Sequence, residues 1–119
     1  MTSDGNFRKK ERILRSKDFR KIYKKGSPFK KEWLILCRLP NNLGHSRIGF
    51  SISSRNVKSA ARRNRIRRLL REAFRLNKGG IKAGYDIVMI IKRDPGRTLS
   101  YKNAETVFLE AVKLSGVAA

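Results

Sequence analysis

Residues that carry most enzyme chemistry are nearly missing from this chain. Among 119 residues there is one cysteine, Cys37, and one histidine, His45. A single cysteine excludes an intramolecular disulfide and a thiolate metal cluster. It fits a reducing compartment, so the expected localisation is cytoplasmic. His45 follows Gly44 in a turn, where a surface role outweighs that of a general base. Cys37 falls within an apolar strand and has no evident activating partner. The nine acidic residues show no spacing typical of a metal cage or an acid/base pair. Asp86 and Asp94 flank a strand, where aspartates usually serve turns and solvent. A Walker-type phosphate loop is absent. No apolar run approaches the ~20 residues that cross a bilayer, and Met1 to Lys10 lacks the apolar core of a secretory signal. Side-chain catalysis by the protein alone is not expected, nor is a membrane span.

What the chain has in abundance is positive charge. Thirty Lys and Arg face nine Asp and Glu, a formal charge of +21. Hydrophobic residues reach 39%, enough for a core and too many for a disordered basic tail. One domain over residues 1–119 is expected, with loose termini at 1–6 and 117–119. Such a charge on a compact body calls for a polyanion. Nucleic acid is the first candidate and an anionic membrane surface the second.

The cations come in two blocks. Twelve lie between Arg8 and Lys31, opposed only by Glu11 and Asp18, and nine between Arg55 and Arg75, opposed only by Glu72. Ser16 to Gly26 reads as a short helix, with Ser16 as cap, Gly26 as a left-handed stop, and Phe19, Ile22 and Tyr23 on one stripe. Trp33 to Leu39 reads as a strand, Pro40 to Gly44 as a turn, and Arg47 to Ser53 as an alternating strand. Ser59 to Asn77 is helical in pattern. Ile66, Leu69, Leu70, Ala73 and Phe74 share its apolar face, while Asn64, Arg67, Arg68, Arg71 and Arg75 take the opposite one. Arg62 and Arg63 flank the apolar arc and can reach toward a neighbouring sheet. Arg68 and Glu72 are spaced to pair. Gly79-Gly80 ends the helix, Tyr85 to Ile91 reads as a central strand, and Thr98 or Ser100 caps a last helix. That helix places Ala104, Val107, Phe108, Ala111 and Val112 on one face.

A helix with one apolar and one arginine face can pack on a sheet while presenting guanidinium forks to phosphates. Ordinary solvated faces mix both signs, whereas this one holds only Glu72 against its arginines. The stripe of Phe19, Ile22 and Tyr23 admits two readings, core packing or a platform for single-stranded bases.

The run Arg63-Asn64-Arg65-Ile66-Arg67-Arg68, continued by Leu69-Leu70-Arg71-Glu72-Ala73-Phe74, resembles the signature of the bacterial ribonuclease P protein component. Arg47 to Ser53 and Asn56-Val57 resemble the strand and connector that enter that signature helix. The resemblance runs from about Arg8 to Lys113 and is most specific over residues 47–76. It implies an α/β (α+β) sandwich, a single domain in αβββαβα order, with a left-handed βαβ crossover around the arginine-rich helix. It also implies a fourth strand, near Ser27 to Phe29, beyond the three that the pattern gives.

In function the resemblance implies the protein subunit of ribonuclease P, an endoribonuclease whose RNA subunit carries the active site and holds Mg2+. The expected partners are ribonuclease P RNA and precursor tRNA, with no membrane and no DNA. Arg63, Asn64, Arg65, Arg67, Arg68 and Arg71 match the signature that meets catalytic RNA. Arg55 keeps a basic position of the connector, where Ser54 replaces a usual lysine. Arg62 is a variable addition, as is Lys58, and Arg75 extends the basic face. Phe19 and Tyr23 match aromatics of a cleft that takes the single-stranded 5′ leader. Leu36 falls where some members place a further cleft aromatic.

A basic ribosomal or RNA-chaperone protein is the alternative, although it need not combine a leader cleft with this signature. A DNA-binding repressor needs a second helix set against the arginine helix by a short turn, but strands stand on both sides here. A membrane-surface protein needs bulky apolar residues exposed beside its cations.

Overall fold

The computed structural model describes residues 11–13 and 15–119. Helix α1 spans Ser16–Lys25. Strands β1 (Ser27–Lys31) and β2 (Leu34–Pro40) form an antiparallel hairpin. Strand β3 (Arg47–Ser51) leads through helix α2 (Ala60–Asn77) to β4 (Tyr85–Ile91), and helix α3 (Tyr101–Leu114) follows. The four strands make one sheet in the order β1-β2-β4-β3. β2 pairs antiparallel with β4, and β3 pairs parallel with it. Helix α2 is therefore the crossover between two adjacent parallel strands. The αβββαβα order holds, in a single α/β domain.

The period-two rule sorts the sheet into two unequal cores. Ile87, Met89 and Ile91 of β4 join Ile66, Leu70 and Phe74 of α2 and Phe108 of α3 in the larger one. Val88, one step out of phase, joins Cys37, Ile13 and Ile22 beneath α1. β4 is buried on both faces, which explains its unbroken apolar run. β2 behaves alike, and this overturns one expectation. Leu36 is fully buried in the larger core, on the opposite face from α1, so it cannot line a cleft there. Ile35, Cys37 and Leu39 face α1 instead.

β1 is an edge strand, where Pro28 costs no ladder bond and two lysines discourage further pairing. Its one bulky apolar residue, Phe29, stands opposite Leu36.

Local stops differ from expectation in instructive ways. Ser16 does not cap α1; Arg15 is the N-cap residue and makes no side-chain cap bond. Gly26 is extended rather than left-handed, at φ −78°. Glycine is required there by crowding, because a Cβ would lie 2.5 Å from the carbonyl oxygen of Ile22 and 2.9 Å from that of Arg38. Ser59 caps α2 and Ser100 caps α3, each accepting a backbone N–H three residues on. Glu72 pairs with Arg75, not Arg68, accepting two guanidinium bonds of 2.7 Å. Residues 117–119 are not loose. Val117 is buried, its carbonyl accepts from Lys82 N–H at 2.8 Å, and Ala119 N–H donates to Gly80 at 2.8 Å. The expectation for residues 1–6 lies outside the described residues.

Candidate RNA interface

Helix α2 buries Ile66, Leu70, Ala73 and Phe74, which leaves its other side to solvent. The arginines on and beside that side divide into two groups. One group is committed to the fold. Arg62 pairs with Asp94 and also donates to Gly96 O at 3.0 Å. Hydrogen bonds from Arg62 and from the Gly96 N–H hold the Asp94 carboxyl below its ordinary value. Arg63 turns inward, its Nη1 donating to the carbonyls of Val57 at 2.9 Å and Lys58 at 3.0 Å. It thus fixes the connector against the first turn of the helix. Arg75 is held by Glu72.

The second group is open. Arg55, Arg65 and Arg68 are exposed, and no side chain among the described residues bonds to them. Arg67 is half-buried and, among the described residues, donates only to Asn64 Oδ1, at 3.0 Å. Arg71 stands on the same side. Its guanidinium is pulled below the ordinary arginine value, first by burial and then by repulsion from Arg67 and Arg12. An anion between these cations would relieve that repulsion.

The place for such an anion is visible. Where the Arg12–Ile13 segment pairs along the outer edge of β3, a cavity of about 100 Å³ opens. Arg12, Arg67 and Arg71 line it together with Phe19, Gly49 and Phe50. The cavity therefore joins the two basic blocks of the sequence at one aromatic-walled point. Gly49 makes the junction possible, because a Cβ there would lie 2.7 Å from the Phe19 ring. Phe19 is in turn tilted against Tyr23, with ring centroids 6.4 Å apart, and Tyr23 is 45% exposed. One aromatic is seated on the strand and the next is presented to solvent.

A buried ion pair keeps α1 in position. Arg47 and Asp86 are cross-strand partners and make a bidentate pair, 2.8 Å from Nε to Oδ1 and 2.6 Å from Nη2 to Oδ2. Asn41 adds a bond of 2.8 Å to Asp86, and Arg47 reaches Asp18 of α1 at 3.7 Å. Burial alone would push the Asp86 carboxyl up, but the bonds from Arg47 and Asn41 and the Arg47 charge hold it below its ordinary value. Asp86 is thus a structural anchor, not the solvent-facing aspartate expected at a strand end.

The expected site residues are therefore distributed as follows. Arg67 and Arg71 come together with Phe19, and Arg65 and Arg68 lie open on the same helix. Arg62, Arg63 and Arg75 are turned to internal partners, and Leu36 is on the far face. Sequence reasoning missed Arg12 and Gly49 as members of the site. The first was one cation among many, and the second needed knowledge of which side chain crossed it. Cys37 is buried, and burial pushes its thiol up, away from reactivity. Among the described residues no group of three His, Cys, Asp or Glu is arranged to hold a metal ion. Among the same residues, no helix is long and apolar enough to cross a membrane.

These features have close counterparts. The Ribonuclease P family model matches residues 7–113. The ribonuclease P protein component of Clostridioides difficile is 37% identical over 113 residues, 94% of this chain and 97% of the relative. That of Alkaliphilus metalliredigens is 36% identical over 102 residues, 86% and 90% of the two chains. The solved RNase P protein of Staphylococcus aureus superposes with a TM-score of 0.81 at 29% identity, covering 92% of this chain and 98% of the other. That of Thermotoga maritima gives 0.78 at 30%, covering 87% and 96%. The chain belongs to the bacterial ribonuclease P protein family: it is an RNA-binding component of the endoribonuclease that matures tRNA 5′ ends, and its partner is RNase P RNA.

Proposed function

We propose that the open side of α2 binds the catalytic RNA while α1 receives the 5′ leader of precursor tRNA. Arg65, Arg67, Arg68 and Arg71, with Arg55 at the connector, neutralise phosphates of the RNA subunit. Arg62, Arg63 and Arg75 support them by fixing the helix and its entry. Phe19 and Tyr23 offer ring faces to the leader, which is single-stranded and has bases free to stack. Arg12 joins them by holding a backbone phosphate at the Phe19 cavity. The observation that carries this reading is that cavity, where three arginines from both basic blocks surround an aromatic wall.

Cleavage itself, hydrolysis of one phosphodiester, is assigned to the RNA subunit. Mg2+ is assigned chiefly to that RNA and the substrate. The protein contributes position and charge. It brings the leader beside the RNA it has already bound and offsets the repulsion between two polyanions.

Reconstitution with a bacterial RNase P RNA and a precursor tRNA at low Mg2+, where the RNA alone is poor, tests the reading. The protein should stimulate cleavage strongly. If ~6–10 phosphates are neutralised, RNA affinity should fall ~10³–10⁵-fold between 50 and 200 mM salt. Arg68→Ala should lower the slope of that salt dependence by about one with an unchanged circular dichroism spectrum. A flat salt dependence, or no stimulation with any RNA subunit tried, refutes the assignment.

A further inference from the structure

The segment that brings Arg12 to the cavity is held on both flanks. On one flank Ile13 is buried with Ile22, Cys37 and Val88, and its N–H donates to Ile48 O at 3.0 Å. On the other flank Glu11 meets Lys78, whose Nζ lies 3.1 Å from Oε1 and 3.3 Å from Oε2. The Lys78 and Glu11 side chains are only 13% and 14% exposed, so water screens this pair less than an ordinary surface pair.

Lys78 continues helix α2, following Asn77 with helical dihedrals, φ −65° and ψ −23°. Arg71 stands four residues after Arg67, and Lys78 seven after Arg71, about one and two helical turns. The three therefore share one stripe of the helix. Through Lys78, Glu11 ties the cavity segment to the same stripe that supplies the other two arginines.

Charge makes such a tie necessary. Arg12 and Arg67 both repel Arg71 across the cavity. Like charges gathered around an unfilled space drive apart whichever is least firmly held. Arg67 and Arg71 are carried by a long helix, whereas Arg12 joins β3 through one isolated bridge, to Ile48. We propose that Glu11 and Lys78 are positioning residues for leader binding: their ion pair keeps Arg12 at the cavity, preorganised to meet a backbone phosphate. The proposal rests on the reading that this cavity holds a phosphate of the leader. It gives an acidic residue a favourable part in binding a polyanion.

The sign of that effect is the test. If Glu11 acted only through its charge, Glu11→Gln would make the protein more cationic and tighten RNA. As a positioning residue, its loss weakens precursor tRNA instead. The full-length protein is reconstituted with a bacterial RNase P RNA at fixed salt. Single-turnover cleavage gives the half-saturating precursor concentration, and mature tRNA serves as competitor. Glu11→Gln should raise that concentration about fivefold, with the limiting rate unchanged and mature tRNA no weaker. Lys78→Met should act alike, and the reversed pair, Glu11→Lys with Lys78→Glu, should restore most of the loss. In an Arg12→Gln background Glu11→Gln should have no further effect, because it acts through Arg12. Amide exchange should quicken at Ile13 but not at Val88, which separates local release from a general loss of stability. Unchanged or tighter precursor binding by Glu11→Gln, or a loss that adds in full to that of Arg12→Gln, overturns the proposal. If Arg12→Gln still weakens precursor in that case, the leader reading stands without this pair; if Arg12→Gln has no effect, both fall.

Discussion

The sheet is covered very unevenly on its two faces. On one side α2 and α3, of 18 and 14 residues, bury Leu34 and Leu36 of β2 and Ile87, Met89 and Ile91 of β4. On the other side lies α1, with ten residues, of which only Ile22 is fully buried. Ile35, Leu39 and Ile90 beside it are only partly covered. The thick side supplies stability, since each large core side chain there is worth ~2–5 kcal/mol. The thin side leaves aromatic and aliphatic surface uncovered, and an ion pair helps to fix it where packing is sparse. On the proposed reading the thin side takes the leader, while the thick side holds the domain together and turns the outer arginines of α2 toward the catalytic RNA.

Substitutions on either side of the sheet can break this division. The largest effect is expected for Leu36→Ala in the thick core, a loss of ~2–5 kcal/mol in denaturant unfolding. The ratio of precursor to mature tRNA affinity should be unaffected in the folded fraction; a changed ratio would return Leu36 to the cleft. Asp86→Asn comes next, at about 3 kcal/mol, because it strands Arg47 within the fold. Since the folded Asp86 lies below its ordinary value of 3.8, its contribution is present above that pH and is lost as pH falls through the lower folded value. Acid unfolding of the wild type should therefore be steeper than that of the Asn variant, as fluorescence at a series of acid pH values would reveal. Tyr23→Ala should leave stability within ~0.5 kcal/mol and weaken precursor tRNA by ~1–3 kcal/mol. Equal losses for precursor and mature tRNA would remove the leader from α1.

Most of the thick side was legible in the sequence. The spans of α2 and β4 follow from periodicity, and the five apolar residues predicted to share one face of α3 are all buried. There a single amphipathic pattern has only one way to face the core. The thin side was harder to read for physical reasons. β2 is apolar at nearly every position, so its alternation cannot say which residues meet α1, and Leu36 was placed on the wrong face. β1 has one bulky apolar residue, and backbone pairing with β2 defines it rather than its pattern. Among the arginines, composition identifies the basic face but not which side chains turn inward. Arg63 answers to two carbonyls of the connector, and nothing in its spacing distinguishes it from Arg65. The cavity required Gly49, Phe19 and Arg71 to meet across 52 residues of chain, a juxtaposition that only the parallel crossover provides.

That crossover also sets an order of assembly. β1 and β2 meet across a two-residue turn, and such hairpins close in microseconds. β3 reaches β4 only across the whole of α2, and β2 pairs with β4 over a longer stretch of chain still, so both pairings cost far more closure entropy than the hairpin. The Arg12–Ile13 segment adds to the outer edge of β3 through a single isolated bridge, Arg12 to Ile48. The cavity at that edge, held by so short a pairing, is expected to open by local unfolding before the sheet interior does. Amide exchange should accordingly be faster at Ile13, whose N–H bonds to Ile48 at 3.0 Å, than at Val88 or Met89 in the sheet interior. The body of the domain can persist while the edge at Ile13 repeatedly comes apart and re-forms.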